Sequence, residues 1–160
     1  MRYNSETDMI EICFNEKWIE WQIANLLDFK IYTNGYQNKT LTTDYSTNWD
    51  RSQASVQLSG EYIKFTANAN SNALIGTNES IDVTNFNKIY VEYATDSNST
   101  KKIQSYDISS TNGNKYIWVR LVDYNGKIFG IGTSDSKTDN GKYYEFSTNS
   151  VTYVYRIWLE

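Results

Sequence analysis

The chain has 160 residues, of which 39% are hydrophobic, 21% are charged and 16% are aromatic, a composition that fits one folded domain and excludes a disordered chain. Histidine is absent and there is a single cysteine, which excludes disulfide frameworks, Cys/His zinc sites and catalytic triads that need an imidazole. The net charge of −4 argues against nucleic acid as a partner, because binding to the phosphate backbone depends on Lys and Arg.

Residues 1–24 predict a short N-terminal connector hairpin. Apolar side chains alternate in Met9 to Phe14 and again in Trp18 to Trp21, and Asn15-Glu16-Lys17 between them suits a three-residue loop. A short helix over Trp18 to Ile31 is the alternative, since apolar residues there also recur at helical spacing.

The two ends of the chain carry few signals. The opening residues are no signal peptide, because no apolar run follows Arg2, and no later run is long enough for membrane insertion. Strand-like segments lie close to both termini, so we expect a fragment of a longer protein.

Residues 25–160 predict an all-β domain, an antiparallel β-sandwich of jelly-roll type. The chain contains 18 Asn, 16 Ser, 16 Thr and 14 Tyr, and four of its eight glycines follow an asparagine, which suits tight turns. The predicted strands are Ala54 to Ser59, Tyr62 to Ala67, Lys88 to Thr95, Lys102 to Ile108, Tyr116 to Tyr124, Lys127 to Thr133, Tyr143 to Ser147 and Val151 to Leu159. Short strands at this spacing are typical of a sandwich or barrel.

The segments around Asn125-Gly126 predict a hairpin with a two-residue loop. That loop pairs Leu121 with Gly130. It leaves Phe129 and Ile131 on the same side as Trp118, so the side that faces the core stays open at this point.

Side chains alternate across a strand, so each predicted strand has two faces. The apolar face suits a core and carries Ile63, Phe65, Ile89, Val91, Tyr93, Ile117, Val119 and Leu121. The opposite face carries rings beside ionic groups, namely Tyr62, Tyr90, Glu92, Tyr116, Trp118, Arg120, Arg156 and Trp158. An ordinary solvent face uses Thr, Ser, Lys and Glu, whereas Tyr and Trp beside Arg and Glu provide flat apolar surface with polar tips, as sugars require.

These eight residues are the candidate carbohydrate-binding residues, and we expect them to form one continuous patch. Trp49, which lies in a polar connection, is a ninth candidate, at a loop tip. The alternatives are that the N-terminal hairpin or a neighbouring subunit covers the aromatic face, and that Trp49 plugs the end of the sandwich. A stacked ring contributes only about 1 kcal/mol. We therefore expect affinities near the millimolar range, raised by multivalent display.

Neither catalysis nor a cofactor is expected. A glycosidase requires two carboxylates, and the sequence pattern places only Glu92. Four aspartates, Asp82, Asp123, Asp135 and Asp139, allow a structural calcium ion as an alternative, but their spacing lacks the EF-hand pattern and is typical of solvated turns.

Two stretches resemble proteins of bacteriophages. Arg2-Tyr3-Asn4-Ser5-Glu6-Thr7, followed by Ile10-Glu11-Ile12 and Lys17-Trp18-Ile19-Glu20-Trp21, resembles a hairpin common in tail-fibre and minor structural proteins. The segment from Ile81 to Tyr93 is similar to part of the β-sandwich that follows such hairpins in phages and prophages of low-GC Gram-positive hosts, and to jelly-roll carbohydrate-binding modules. The resemblance implies a distal tail protein, in the virion tail or extracellular, that touches the host surface. It assigns no residue of a sugar site.

The expected function is therefore that of a non-catalytic receptor-binding module in a phage tail or tail-like particle. It would recognise host cell-surface polysaccharide, a wall or teichoic-type glycan, during host adsorption. The alternative is a structural module that trimerises a tail fibre through the aromatic face. In either case we expect a homo-oligomer, a trimer, or part of a larger tail protein, with neither nucleic acid nor membrane insertion.

Overall fold

The computed structural model describes residues 2–4, 9–14, 17–21, 29–148 and 152–160, and in these residues every regular element is a β-strand. The strands are β1 (Arg2–Asn4), β2 (Met9–Phe14), β3 (Lys17–Trp21), β4 (Phe29–Thr33), β5 (Tyr36–Gln37), β6 (Leu41–Thr42), β7 (Ala54–Leu58), β8 (Ile63–Ala67), β9 (Asn72–Thr77), β10 (Ile81–Asp82), β11 (Lys88–Ala94), β12 (Lys102–Asp107), β13 (Asn114–Asp123), β14 (Lys127–Ser134), β15 (Lys142–Thr148) and β16 (Thr152–Leu159). No helix long and apolar enough to cross a membrane occurs in this described part.

Two antiparallel sheets pack face to face. Sheet I has the strand order β15-β14-β13-β9-β6, and β10 also pairs with β13. Sheet II has the order β12-β11-β16-β4-β5, and β8 joins β7 to β16. The predicted antiparallel β-sandwich is therefore confirmed, and each of the eight predicted sandwich strands is present within a few residues of its predicted bounds.

The core lies between the sheets and is built from the predicted apolar faces. The eight predicted inward residues are all buried in one cluster: Ile63, Phe65, Ile89, Val91, Tyr93, Ile117, Val119 and Leu121. Sheet II contributes the first five and sheet I the last three. For these eight residues the alternation of side chains along the strand correctly predicted burial.

The β13–β14 hairpin differs from its predicted register by one residue. Asp123 pairs with Lys127, so the loop has three residues, and Leu121 faces Phe129 rather than Gly130. A shift of one residue turns every side chain of a strand to the other face of the sheet. Phe129 and Ile131 therefore enter the core, where both are fully buried. A two-residue Asn-Gly loop does occur elsewhere, at Asn34-Gly35 between β4 and β5.

Five strands of the sandwich were not predicted, namely β4, β5, β6, β9 and β10, and β4 and β9 are the longest of them. The segment 28–32 had no assignment from sequence, and β4 (Phe29–Thr33) in fact pairs with the final strand. All six residues of β9 (Asn72–Thr77) are buried, because loops cover the side of β9 that faces away from the core. A strand covered on both faces shows no polar and apolar alternation, which is why the pattern of β9 was uninformative.

The N-terminal strands form a three-stranded sheet of their own. The predicted pairing of β2 with β3 is present, and β1 adds a third strand beside β2. Phe14 pairs with Lys17, so the loop has two residues instead of the predicted three. Lys17–Trp21 is a strand, whereas residues 22–28, on which the rest of the helical alternative depends, lie outside the described residues.

Candidate functional site

The predicted binding residues lie on two outer faces that point away from each other. Those on β11 and β16, with Tyr62 beside β8, belong to sheet II, while those on β13 belong to sheet I. The expectation of one continuous patch is therefore wrong. Alternation places a residue on the outer side of its strand, but it does not say to which sheet that strand belongs.

On the outer face of sheet II the predicted residues make stacking contacts and hydrogen bonds with one another. The Tyr90 ring stacks on Trp158 at a centroid distance of 5.1 Å, and the Arg156 guanidinium lies 4.9 Å from the centroid of the same indole. Arg156 also donates two hydrogen bonds of 3.1 Å to Glu92 across the sheet. Trp158 is consequently almost buried, so little of its ring remains for a ligand.

Tyr62 extends this arrangement toward the other end of sheet II. Its ring makes edge contacts with Tyr153 at 4.9 Å and with Tyr155 at 5.9 Å. A β-bulge in β16 adds Tyr155 between Val154 and Arg156 on the edge facing β11, where Val154 pairs with Tyr93 and Arg156 with Glu92. The Tyr155 ring is covered by the Lys101 ammonium, 3.9 Å from its centroid. These rings form a packed layer rather than a cavity.

The outer face of sheet I contains a cleft, and two glycines of β14 lie beneath the side chains that build it. In the sheet register Gly132 lies between Trp118 and Tyr143, and Gly130 lies between Arg120 and Glu145. Since neither glycine has a side chain, the long side chains of β13 lie across β14 and reach β15. The ring of Trp118 comes within 6.0 Å of Tyr143, measured between centroids.

A buried ionic cluster centred on Arg120 forms the inner wall of the cleft. One guanidinium nitrogen, Nη1, donates to Asp139 at 2.6 Å, and Nη2 donates to Glu145 at 2.5 Å. The same group lies about equally close to the rings of Trp118 and Tyr143, at 5.1 and 5.2 Å. Among the described residues the Nε of Arg120 has no hydrogen-bond acceptor. The guanidinium is therefore held rigidly from several sides.

Asp139 belongs to a loop, residues 135–141, that a second loop, residues 43–53, holds in place. Asp139 Oδ2 accepts hydrogen bonds from Thr47 Oγ1 and from Asn72 Nδ2, both at 2.9 Å. The two loops also form a backbone bridge between Ser46 and Thr138. Two segments far apart in the chain thus meet over sheet I and close one side of the cleft.

Aromatic rings form the rim of the cleft. The indole of Trp49 meets the ring of Tyr124 edge to face at 5.3 Å, and Tyr143 lies on β15 with 48% of its surface exposed. These three residues and the Arg120 cluster line a cavity of about 280 Å³ together with Asn140. The predicted Trp49 and Arg120 therefore meet in one site, and Trp49 forms a wall of the cleft.

Trp118 and Tyr116 support the cleft from below. Trp118 is fully buried, with 0% of its surface exposed, and it packs in a small cluster with Tyr45, Leu74 and Tyr116. It therefore cannot offer a ring face to a ligand. Its role is to hold the Arg120 guanidinium, which lies over the indole.

The Tyr45 hydroxyl ties this supporting cluster to sheet I and makes it sensitive to alkaline pH. The hydroxyl donates to the carbonyl of Thr77 at 2.8 Å, and burial raises the pKa of Tyr45 far above its ordinary value. A raised folded-state pKa contributes stability that is present below pH of about 10 and is lost as the pH rises further. We expect the free energy of unfolding to fall above that pH.

Denaturant titrations of the wild type and of Tyr45→Phe across neutral and alkaline pH measure this effect. Tyr45→Phe should lose about 1 kcal/mol at neutral pH, where the hydrogen bond is made. It should also show a shallower alkaline decline than the wild type. Parallel declines in the two proteins would show that Tyr45 is not responsible.

Several cleft residues were missed by the sequence analysis. No functional role was predicted for Tyr124, Tyr143 or Glu145. Asp139 was considered only as a calcium ligand. The alternation of Tyr143 with Glu145 on β15 repeats the ring-and-ion pattern of β13, and that signal was available in the sequence. The position of Asn140 beside them depends on the 135–141 loop and had no such signal.

The four aspartates considered for calcium lie in different surroundings. Asp123 accepts from Lys127 at 3.1 Å, Asp135 from Lys115 at 2.6 Å, and Asp139 from Arg120. Asp82 accepts from the backbone and hydroxyl of Thr84, hydrogen bonds that lower its pKa. In the described part of the chain no group of three acidic or other metal-binding side chains comes together.

Comparison of the chain with protein-family models, with curated proteins and with solved structures found no match. Inferences about function therefore rest on the geometry and chemistry described above.

Proposed function

We propose that this protein is a non-catalytic module that binds cell-surface polysaccharide in the cleft over β13, β14 and β15. The observation that carries the proposal is the combination, inside one cavity, of the exposed rings of Tyr124 and Tyr143 and the half-buried ring of Trp49 with the fixed Arg120 cluster. Sugars offer C–H faces that pack on rings and hydroxyls that bond to fixed polar groups. The cleft provides both within the same small volume.

Each part of the cleft has a role in this proposal. The Tyr143 and Trp49 rings provide apolar surface for a pyranose face. Glu145, whose side chain is 29% exposed, and Asn140 accept or donate hydrogen bonds to hydroxyls at the mouth of the cleft. Arg120 is held in place before any ligand arrives, so it loses little conformational freedom on binding.

The geometry favours binding over catalysis. Hydrolysis of a glycosidic bond needs one carboxylic acid that gives a proton to the leaving oxygen and a second carboxylate opposite it. Asp139 is nearly inaccessible and accepts from Arg120, Asn72 and Thr47 at once. Glu145 also bonds to Arg120, at 2.5 Å. Both carboxylates are thus engaged by the same guanidinium, as expected for fixed hydrogen-bond acceptors.

The resemblance of residues 2–21 and 81–93 to phage proteins supports a place in a bacteriophage tail or tail-like particle. Many copies of the chain would then bind the host surface together. A shallow cleft of this size is consistent with weak single-site affinity, which display in several copies raises by about 10²- to 10⁴-fold.

Titration of the whole chain with soluble fragments of Gram-positive cell-wall polysaccharide tests the proposal. Tyr143→Ala should lower the affinity about fivefold, because it removes from the cleft an exposed ring that contributes about 1 kcal/mol. The matched control, Tyr36→Ala, removes a 69% exposed ring from sheet II and should leave the affinity unchanged. Equal affinity of Tyr143→Ala and the wild type, or an equal loss in the control, would contradict the proposal.

A structural assembly module is the second candidate, and one observation favours it. Across the outer face of sheet II the register places exposed Ile103 and Tyr36 on either side of the Arg156–Glu92 pair. Large apolar side chains that are exposed on one sheet face are candidates for burial in a subunit contact. Light scattering of the wild type decides this candidate, because an assembly module must be oligomeric, whereas a glycan-binding module need not be.

A further inference from the structure

The end of the sandwich beside the 135–141 loop contains a second cavity. It has a volume of about 490 Å³ and lies between the 108–113 connection, which joins β12 of sheet II to β13 of sheet I, and the ends of β14 and β15. We infer that this cavity is an anion subsite that binds a phosphate group of the same glycan that the cleft holds. The inference rests on the proposed function and adds the charge of the ligand to it.

The lining of this cavity is basic and rich in hydroxyl groups. Lys115 and Lys142 are its two cationic residues, and Asp135 is its one acidic residue. Most of the remaining lining consists of small hydroxyl and amide side chains: Ser110, Thr111, Asn112, Thr133, Ser134, Ser136, Thr138 and Asn140. The cleft has the opposite balance, because Asp139 and Glu145 outnumber Arg120. An anionic group is therefore favoured in the end cavity and disfavoured in the cleft.

The two ammonium groups are accessible for a ligand. Lys115 Nζ donates to Asp135 at 2.6 Å, but Asp135 is 86% exposed, so this pair contributes little to stability and can open. Lys142 Nζ donates to the hydroxyl of Ser110 at 3.3 Å, which leaves its charge without an acidic partner in that bond. Opening one weak pair thus makes two positive charges available.

One hydroxyl beside the cavity is buried and has no hydrogen-bond partner in the described part of the chain. Thr111 lines the cavity with only 5% of its surface exposed, and its Oγ1 has no hydrogen-bond partner among the described residues. An unpaired buried polar atom costs about 1–3 kcal/mol. The Oγ1 atom is itself closed off from solvent, so it adds no donor to the cavity.

The end cavity and the cleft share a wall. Asn140 lines both of them, and Lys142 and Tyr143, neighbours in β15, line the end cavity and the cleft respectively. Successive strand residues point to opposite faces of the sheet, so the edge of β15 separates the two spaces. A ligand that crosses this edge can place a ring on Tyr143 and an anionic group beside Lys142.

Phosphate fits this lining better than carboxylate does. A lysine ammonium is a point charge that binds either anion, but the hydroxyl donors around it suit a phosphate better, because that group has more acceptor oxygens than a carboxylate. The cavity contains lysines and several hydroxyl donors, and its lining has no arginine. The ligand is therefore a polysaccharide with phosphodiester groups next to its sugar rings.

Binding of a phosphodiester-containing cell-wall polysaccharide, before and after phosphate removal with hydrofluoric acid, tests this inference. The wild type should bind the native polymer about tenfold more tightly than the treated one. Lys115→Gln and Lys142→Gln should each lower the affinity for the native polymer about tenfold and leave that for the treated polymer unchanged. Lys102→Gln, the same change of charge at an exposed site on β12, is the matched control and should bind both polymers like the wild type.

Each contrary outcome identifies what has failed. If the treated polymer binds and Tyr143→Ala weakens that binding, while Lys115→Gln and Lys142→Gln bind the native polymer like the wild type, the phosphate inference is wrong and the proposed function stands. The same loss in Lys102→Gln as in the other two also overturns the inference, because the attraction is then nonspecific. If polygalacturonate binds as tightly as the native polymer, the cavity accepts a carboxylate as readily as a phosphate. That result would contradict a phosphate site. Failure of the wild type to bind either polymer overturns both proposals.

Discussion

Arg120→Met should lower the free energy of unfolding by about 3–5 kcal/mol and abolish polysaccharide binding. The substitution keeps most of the side-chain volume, but it leaves the carboxylate of Asp139, whose side chain is 1% exposed, without its cationic partner. Adding Asp139→Asn to Arg120→Met removes that unpaired charge and should restore part of the lost stability. It should not restore binding, because the Arg120 guanidinium, which holds Glu145 and the rings of the cleft in place, remains absent. Denaturant titration and polysaccharide titration measure the two effects separately.

The matched control for this prediction lies on the opposite face of the sandwich. Arg156 also joins a carboxylate on a neighbouring strand, but its side chain is 40% exposed, against 7% for Arg120. Arg156→Met should therefore cost less than about 1 kcal/mol, as expected for an exposed ion pair. Similar losses of stability in the two variants would show that burial does not set the cost of breaking these pairs.

Gly132→Ala should destabilise the protein by about 3 kcal/mol through overpacking beneath the cleft. The added methyl group would overlap the Trp118 ring and would lie 2.8 Å from the carbonyl oxygen of Lys142. The indole has no room to retreat, because it is fully buried, and the carbonyl belongs to the backbone of β15. Thermal and denaturant unfolding of the purified variant measure the loss.

Two further variants show whether the cost comes from the contact with Trp118. Gly60→Ala is the control, since a methyl group there meets no atom within 4 Å, and it should change stability by less than about 0.5 kcal/mol. Combining Gly132→Ala with Trp118→Leu should cost less than the sum of the two single changes, because the smaller side chain removes the overlap. Additive losses would contradict the proposed contact.

The sequence contained enough information for the strands and for the side of each strand that faces the core. Ile89 and Val91 alternate with Tyr90 and Glu92, and the structure buries the first pair while the second lies on the outer side. Such alternation is a local property of an extended chain, so it survives without knowledge of the rest of the fold. The Asn-Gly pairs were equally reliable as turns, because each of these four glycines has a positive φ, from 74° at Gly113 to 135° at Gly141.

The register of the β13–β14 hairpin was less accessible to sequence reasoning. Asn125-Gly126 suits a two-residue loop when considered alone, yet the structure has three loop residues. The deciding factor is the burial of Phe129 and Ile131, which only the three-residue loop directs into the core. Burial of a large apolar side chain contributes about 1.5–3 kcal/mol to stability, and two such side chains are buried here. This free energy exceeds the preference of Asn125-Gly126 for a two-residue loop.

By itself, then, the sequence determined that the chain forms short antiparallel strands with one apolar side each, and that rings and ions share the other side. Only the tertiary structure decided that Tyr90 and Arg120 lie on opposite surfaces, and that the cleft combines Arg120 with Trp49 and Tyr143. The physical reason is that alternation depends on neighbours two residues apart, whereas the cleft depends on the pairing of distant strands. It also depends on the contact between two loops, made through Thr47 and Asp139, which are 92 residues apart.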